Sequence, residues 1–279
     1  MSEPPAGPGP IQLASPLDGP DGAPVLVLGN SLGTSSAVWD RQVPVLRRHF
    51  RLLRYDLPGH GVSAGSPVPP TPYSVRGLGA GVLALLDAHG IDRAGYAGIS
   101  LGGMIGMWLA ANAPHRISAL GLLCTSAYLP PAAAWQDRAA QVRARGMRAI
   151  STQIVGRWLT ADYAAREPGV RAALTAELER TDPEGYAGCC EALAEMDLRS
   201  RLGAIAAPTL VIAGAEDPAT PPPHGARIAA GINAGPGGRA GGARLLVVRG
   251  AAHLANISAA AEVSVALLNH LCAVYDCGR

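Results

Sequence analysis

The pentapeptide Gly98-Ile99-Ser100-Leu101-Gly102 lies between an apolar run and a stretch with helical spacing. A serine at such a strand-to-helix turn is forced into a strained backbone conformation, and small residues two before and two after it relieve the crowding. Its hydroxyl then stands at a helix N-terminus, where the helix dipole favours developing negative charge. That placement suits a nucleophile attacking an acyl carbon. A serine needs a base to take its proton, and the base needs a carboxylate to orient it. Downstream, TLVIAG (209–214) runs into Ala215-Glu216-Asp217, and LLVVRG (245–250) runs into Ala251-Ala252-His253. His253 is the candidate base, and Asp217 and Glu216 compete as its acid. His60 falls in an early loop, His89 and His115 near helix ends and His270 inside a helical stretch, all positions read as structural or solvated. The tetrahedral oxyanion needs N–H donors, and Gly29-Asn30-Ser31-Leu32-Gly33 is a small-residue loop able to supply one. The expected donors are the backbone N–H groups of Leu32 and Leu101; losing one such donor costs about 10²–10³ in turnover.

Positioning these groups requires a sheet. Val25–Leu28, Leu52–Tyr55, Ala94–Ile99, Ala119–Cys124, Thr209–Ala213 and Leu245–Val248 read as strands. Val75–His89, Leu101–Ala113, His224–Ile232 and Ala259–Val274 read as helices. Continuous apolar strands alternating with helices predict an α/β fold with a mostly parallel central sheet and helices on both faces. Between Ser126 and Leu202 the pattern changes to Ala-, Arg- and Glu-rich helical sequence. The expected organisation is a disordered tail at 1–10, a core formed by 11–125 and 203–279, and a helical lid at 126–202 inserted between sheet strands. Such a lid covers the strand ends where open α/β sheets bind ligands. Asn233–Gly242 reads as a flexible surface loop.

Composition narrows the chemistry. The 279 residues are 48% hydrophobic and 16% charged, with a formal net charge of +2, so no strong field favours nucleic acid or an anionic membrane. All 23 basic residues are arginine. Without lysine there is no Schiff-base chemistry, pyridoxal-phosphate attachment or Walker-type phosphate loop. Gly77-Leu-Gly79-Ala-Gly81 lies inside a helical pattern and follows no strand, so it is not a nucleotide fingerprint. Histidines and carboxylates show no metal-ligand spacing, so no metal is expected at the site, and no cofactor. The five cysteines, Cys124, Cys189, Cys190, Cys272 and Cys277, form no C-x-x-C pair and read as free thiols of a cytoplasmic protein. No secretory leader and no membrane-spanning run are visible.

The assembled residues resemble the 3-oxoadipate enol-lactonase family of α/β-hydrolases from about Ala23 to Leu271. The likeness is carried by VLVLGNSLGTSSAVWD (25–40), HFRLLRYDLPGHGVS (49–63), GISLGGMIGMWLA (98–110), GYAGCCEALAEMD (185–197), PTLVIAGAEDPATPP (208–222) and AAHLANIS (251–258). The serine turn and the RYDLPGHG loop are common to many hydrolases. NSLGT, GYAGCC and the AAHL-N segment are more specific. The Gly-rich 233–242 loop departs from the family by its length. The resemblance implies Asp217 as the acid, and a small carboxylated enol-lactone of aromatic catabolism as the substrate. Trp135 and Arg138 fall three apart on one helix face. The resemblance implies that Arg138 binds the substrate carboxylate and Trp135 packs its ring. Competing readings are a carboxylesterase, a methylesterase or a cofactor-free haloperoxidase of the same fold, or a hydrolase fold serving as a small-molecule receptor.

Overall fold

Parallel strands covered on both faces are apolar along their whole length, and the buried runs of the sequence form such strands. The computed structural model describes residues 12–13, 16–235 and 242–277. The expected tail at 1–10 and positions 236–241 of the Gly-rich loop lie outside the described residues. In chain order the elements begin β1 (Gln12–Leu13), β2 (Val25–Gly29), α1 (Val43–Leu46), β3 (Arg51–Asp56), α2 (Val75–Ala88), β4 (Ala94–Ile99), α3 (Leu101–Asn112) and β5 (Ile117–Leu123). Five helices follow without a strand: α4 (Ala132–Arg145), α5 (Arg148–Trp158), α6 (Ala161–Arg166), α7 (Pro168–Arg180) and α8 (Pro183–Glu195). The chain then returns to the sheet through β6 (Thr209–Gly214), α9 (Pro222–Asn233), β7 (Ala243–Val248), α10 (Ala255–Ser258) and α11 (Ala260–Tyr275).

The sheet order is β1-β3-β2-β4-β5-β6-β7. Among the described strands only β1 runs antiparallel, pairing Gln12 with Asp56 and Leu13 with Tyr55; the other strand pairs are parallel. Alternate residues of a strand point to opposite faces. Gly95 of β4 faces Tyr275 of α11, whereas its neighbour Tyr96 lies against Gly106 of α3. Helices therefore cover both faces. The two-residue β1 escaped the sequence reading because so short a segment has no periodicity.

The inserted helices join the sheet through a narrow stem. Tyr128 and Asp197 form an isolated antiparallel bridge, and Leu198 N–H donates to Ala127 O at 2.8 Å. Inside the insertion, Arg143 of α4 reaches Glu184 (2.7 Å) and Glu191 (2.5 Å) of α8. These exposed pairs contribute little by themselves; buried Ala139, Val142, Leu174, Leu178, Tyr186 and Leu193 hold the helices together.

The cysteines require a correction. Cys124, Cys189 and Cys190 are buried free thiols, but Cys272 and Cys277 are joined in a disulfide. Asp276, at φ 48° in the left-handed region, turns the chain back at the end of α11. That turn returns Cys277 to within bonding reach of Cys272, a reversal that C-x₄-C spacing does not reveal.

Candidate active site

Ser100, Asp217, His253 and the Leu32 loop all follow the carboxyl ends of parallel strands, so the topology delivers them to one edge of the sheet. Ser100 has φ 54° and ψ −117°, a conformation costing on the order of 1–3 kcal/mol. Neighbouring hydrogen bonds enforce it. Ser100 N–H donates to Leu123 O at 2.9 Å, and the Thr125 hydroxyl donates to Ser100 O at 2.7 Å. A Cβ on Gly98 would overlap the Gly102 carbonyl, and one on Gly102 would overlap the Gly29 carbonyl. The two small residues are thus demanded by backbone packed on backbone.

His253 Nδ1 lies 2.8 Å from Asp217 Oδ2. Asp217 is 2% exposed, whereas Glu216 is exposed; of the two carboxylates, Asp217 is the one that meets His253. The same carboxylate accepts the Thr220 hydroxyl at 2.7 Å and the backbone N–H groups of Ala219 (2.8 Å) and Thr220 (3.1 Å). Burial alone would raise the Asp217 carboxyl, but the charge of His253 and the hydrogen bonds from His253 and Thr220 hold it below the usual carboxylate range. Behind it, burial pushes the Cys124 thiol up to about 12, so that thiol stays neutral. With Nδ1 committed to Asp217, Nε2 is the ring nitrogen left without a protein partner among the described residues. No hydrogen bond joins Ser100 Oγ to His253 among the described residues, and such contacts are often long before substrate binds.

The Leu32 loop is braced from behind. Asn30 Nδ2 donates to Tyr55 O (2.7 Å) and Asp56 Oδ1 (3.1 Å), while Asn30 O accepts Gly102 N–H at 2.9 Å. The loop is therefore docked onto the first turn of α3. The backbone N–H groups of Leu32 and Leu101 donate to no protein acceptor among the described residues; at Leu101 this follows from its place at the start of a helix. The Leu101 side chain itself is fully buried in the core.

Ser100, His253, Leu32, Trp135 and Arg138 line one cavity of about 150 Å³. The Arg138 guanidinium lies 4.5 Å above the Trp135 ring, and the indole N–H is tied to Leu129 O at 3.0 Å. The arginine and tryptophan thus form a stacked unit. Four residues of this site are not among those expected from the sequence. Arg157 and Trp158, on α5, and Tyr186, on α8, also line the cavity, and Thr220 supports the acid. Only Thr220 had a legible signal, since Asp217-Pro-Ala-Thr220 is a turn sequence whose aspartate caps backbone N–H groups. The cavity wall carries two arginines and, among the described residues, no carboxylate.

The profile of the alpha/beta hydrolase fold family matches residues 24–155. The chain is 41% identical over 197 residues to 3-oxoadipate enol-lactonase 2 of Acinetobacter baylyi, covering 71% of this chain and 73% of that protein. It is 34% identical over 208 residues to 3-oxoadipate enol-lactonase 1 of the same organism, covering 75% and 77%. The crystal structure of the enol-lactonase from Burkholderia xenovorans LB400 superposes with a TM-score of 0.85 at 40% identity, over 91% of this chain and 94% of that one. The chain belongs to the α/β-hydrolase family and, within it, to the group of ester and lactone hydrolases formed by the 3-oxoadipate enol-lactonases. Among the described residues, no helix is long and apolar enough to cross a membrane.

Proposed function

We propose that the protein hydrolyses 3-oxoadipate enol-lactone to 3-oxoadipate, a step of aromatic catabolism, with Ser100 as nucleophile, His253 as base and Asp217 as its orienting acid. The observation that carries this reading is the buried His253–Asp217 pair at 2.8 Å beside a small cavity that holds Ser100, two arginines and no carboxylate. Such a wall selects an anion small enough for about 150 Å³. His253 Nε2 takes the Ser100 proton as Oγ attacks the lactone carbonyl. Leu32 and Leu101 N–H groups bind the oxyanion. The ring C–O bond breaks, and the enol oxygen leaves with the proton carried by His253. It stays attached to the acyl-enzyme because the ester was cyclic. Water, giving a proton to His253 that passes on to the departing Ser100 Oγ, then cleaves the acyl-enzyme, and the enol tautomerises to the ketone. Arg138 holds the substrate carboxylate, Trp135 packs beside it, and the helical insertion acts as the lid. No cofactor enters these steps. We place the enzyme in the cytoplasm, where Cys124, Cys189 and Cys190 remain reduced.

The test is loss of enol-lactone absorbance with purified protein, run beside simple methyl and p-nitrophenyl esters, together with fluorophosphonate labelling mapped to Ser100. Turnover of the lactone well above that of the neutral esters, with labelling at Ser100, supports the proposal. Faster methyl-ester hydrolysis makes the protein an esterase, and absence of labelling removes the serine mechanism.

A further inference from the structure

Away from the candidate active site, the fold brings His49 beside two cysteines at the end of α11 that are distant from it in sequence. His49 lies in the turn between α1 and β3, its N–H bonded to Leu46 O at 3.0 Å. Cys272 sits in the last turn of α11, and Cys277 just beyond it. The next residue after His49, Phe50, is fully buried and meets Tyr275 edge-on, with ring centroids 5.6 Å apart. That contact fixes the His49 turn against the end of α11. The Asp276 N–H closes onto Cys272 O at 3.0 Å, completing the chain reversal. As a result, one ligand atom from each of His49, Cys272 and Cys277 lies within 4.8 Å of the others, all three side chains being half-buried.

An imidazole nitrogen and two thiolates form a donor set suited to a thiophilic divalent ion of the zinc class, with water in the fourth tetrahedral position. Zinc–sulfur bonds of about 2.3 Å at tetrahedral angles put two sulfurs roughly 3.8 Å apart. Side chains whose Cα atoms are 4.9 Å apart can reach that separation by rotating about χ1. We propose that His49, Cys272 and Cys277 form a redox-gated metal site: the dithiol form binds one Zn²⁺ and the disulfide form excludes it. Reduction by a dithiol or phosphine breaks the S–S bond and adds two electrons and two protons, leaving two thiols; the reductant is oxidised to its disulfide or, with water, to the phosphine oxide. Zinc then displaces both thiol protons and binds the neutral imidazole. The ion clamps the turn before β3 to the C-terminal helix. The three remaining cysteines do not compete, because they are buried and contribute no atom to the cluster.

The experiment uses full-length protein, reduced with a phosphine that is then removed anaerobically, beside the oxidised protein. Zn²⁺ is added and the bound metal is counted after gel filtration; Co²⁺ is added in parallel to read thiolate-to-metal charge-transfer absorption. The expected result is one metal per chain in the reduced protein and none in the oxidised form, with two thiols shielded from maleimide. His49→Ala weakens metal binding by more than about tenfold and Cys277→Ser abolishes the charge-transfer band. Thermal melts of the reduced, metal-free variants against reduced wild type confirm that they are folded. Failure of the reduced wild-type protein to bind metal overturns the proposal, as does equal binding by the oxidised protein or by folded His49→Ala and Cys277→Ser.

Discussion

The backbone N–H of Leu254 donates to the carbonyl of Trp158 at 2.9 Å, which ties the residue after His253 to the last residue of α5. One contact therefore sets both the position of a cavity wall and the register of the imidazole. Trp158→Ala keeps that carbonyl but removes the buried indole that seats the end of α5, so it should cost about 3–5 kcal/mol of stability, let the carbonyl shift, and lower kcat as well as raise KM. Steady-state kinetics beside thermal melts check this. A change confined to KM would show that Trp158 is wall alone.

Ser100→Ala should leave the melting temperature unchanged and reduce turnover by about 10⁴-fold or more. The bonds that impose the strained turn, from Ser100 N–H to Leu123 O and from the Thr125 hydroxyl to Ser100 O, do not involve the Ser100 hydroxyl. Activity near wild type in a folded variant removes Ser100 from the mechanism.

Arg138 and Arg157 reach the cavity from different helices, α4 and α5. A charge-assisted hydrogen bond contributes roughly 1.5–3 kcal/mol. Replacing either arginine by alanine should therefore raise KM for the carboxylated lactone about 10- to 100-fold. KM for neutral p-nitrophenyl acetate should move little. Equal effects on both substrates for one variant would take that arginine out of the carboxylate site.

Thr220→Val deletes the 2.7 Å hydroxyl donation to Asp217. The Asp217 carboxyl, held low partly by that bond, should rise. Loss of activity on the acid side should then begin at a higher pH than in wild type, with kcat down about tenfold at neutral pH. The kcat profile between pH 4 and 8 reads this directly; an unshifted acid limb counts against the role of Thr220.

Burial holds the His60 imidazole down at about 4 from its ordinary 6.5. Between those values the unfolded chain binds a proton that the folded chain refuses, so stability falls as pH drops through the window. The loss amounts to about 3 kcal/mol. Denaturant unfolding of wild type and His60→Gln at pH 7 and 4.5 should show a smaller acid loss in the variant. Identical slopes would assign the acid sensitivity to other groups.

The strands bearing the site were legible because a strand covered on both faces must be apolar throughout, as in VLVL and TLVIAG; LLVV, in the edge strand β7, is apolar although Leu245 and Val247 are exposed. The serine turn was legible because small residues are required where Gly98 and Gly102 meet the backbone. Arg157 was not. Its place in the cavity depends on how α5 docks onto the Leu254 loop, and a surface arginine on a helix carries no mark of that docking. The Cys272–Cys277 bond was hidden for a related reason, since it depends on the left-handed turn at Asp276.

The bridge between Tyr128 and Asp197 brings the entry and exit of the inserted helices to a single point. A helical segment spliced in there must have its two ends one hydrogen bond apart and must also supply the carbonyl by which Trp158 holds Leu254, beside His253. Trp135, Arg138, Arg157, Trp158 and Tyr186 would leave together with the excised segment, so the cavity wall and the prop behind the His253 loop travel as one cassette.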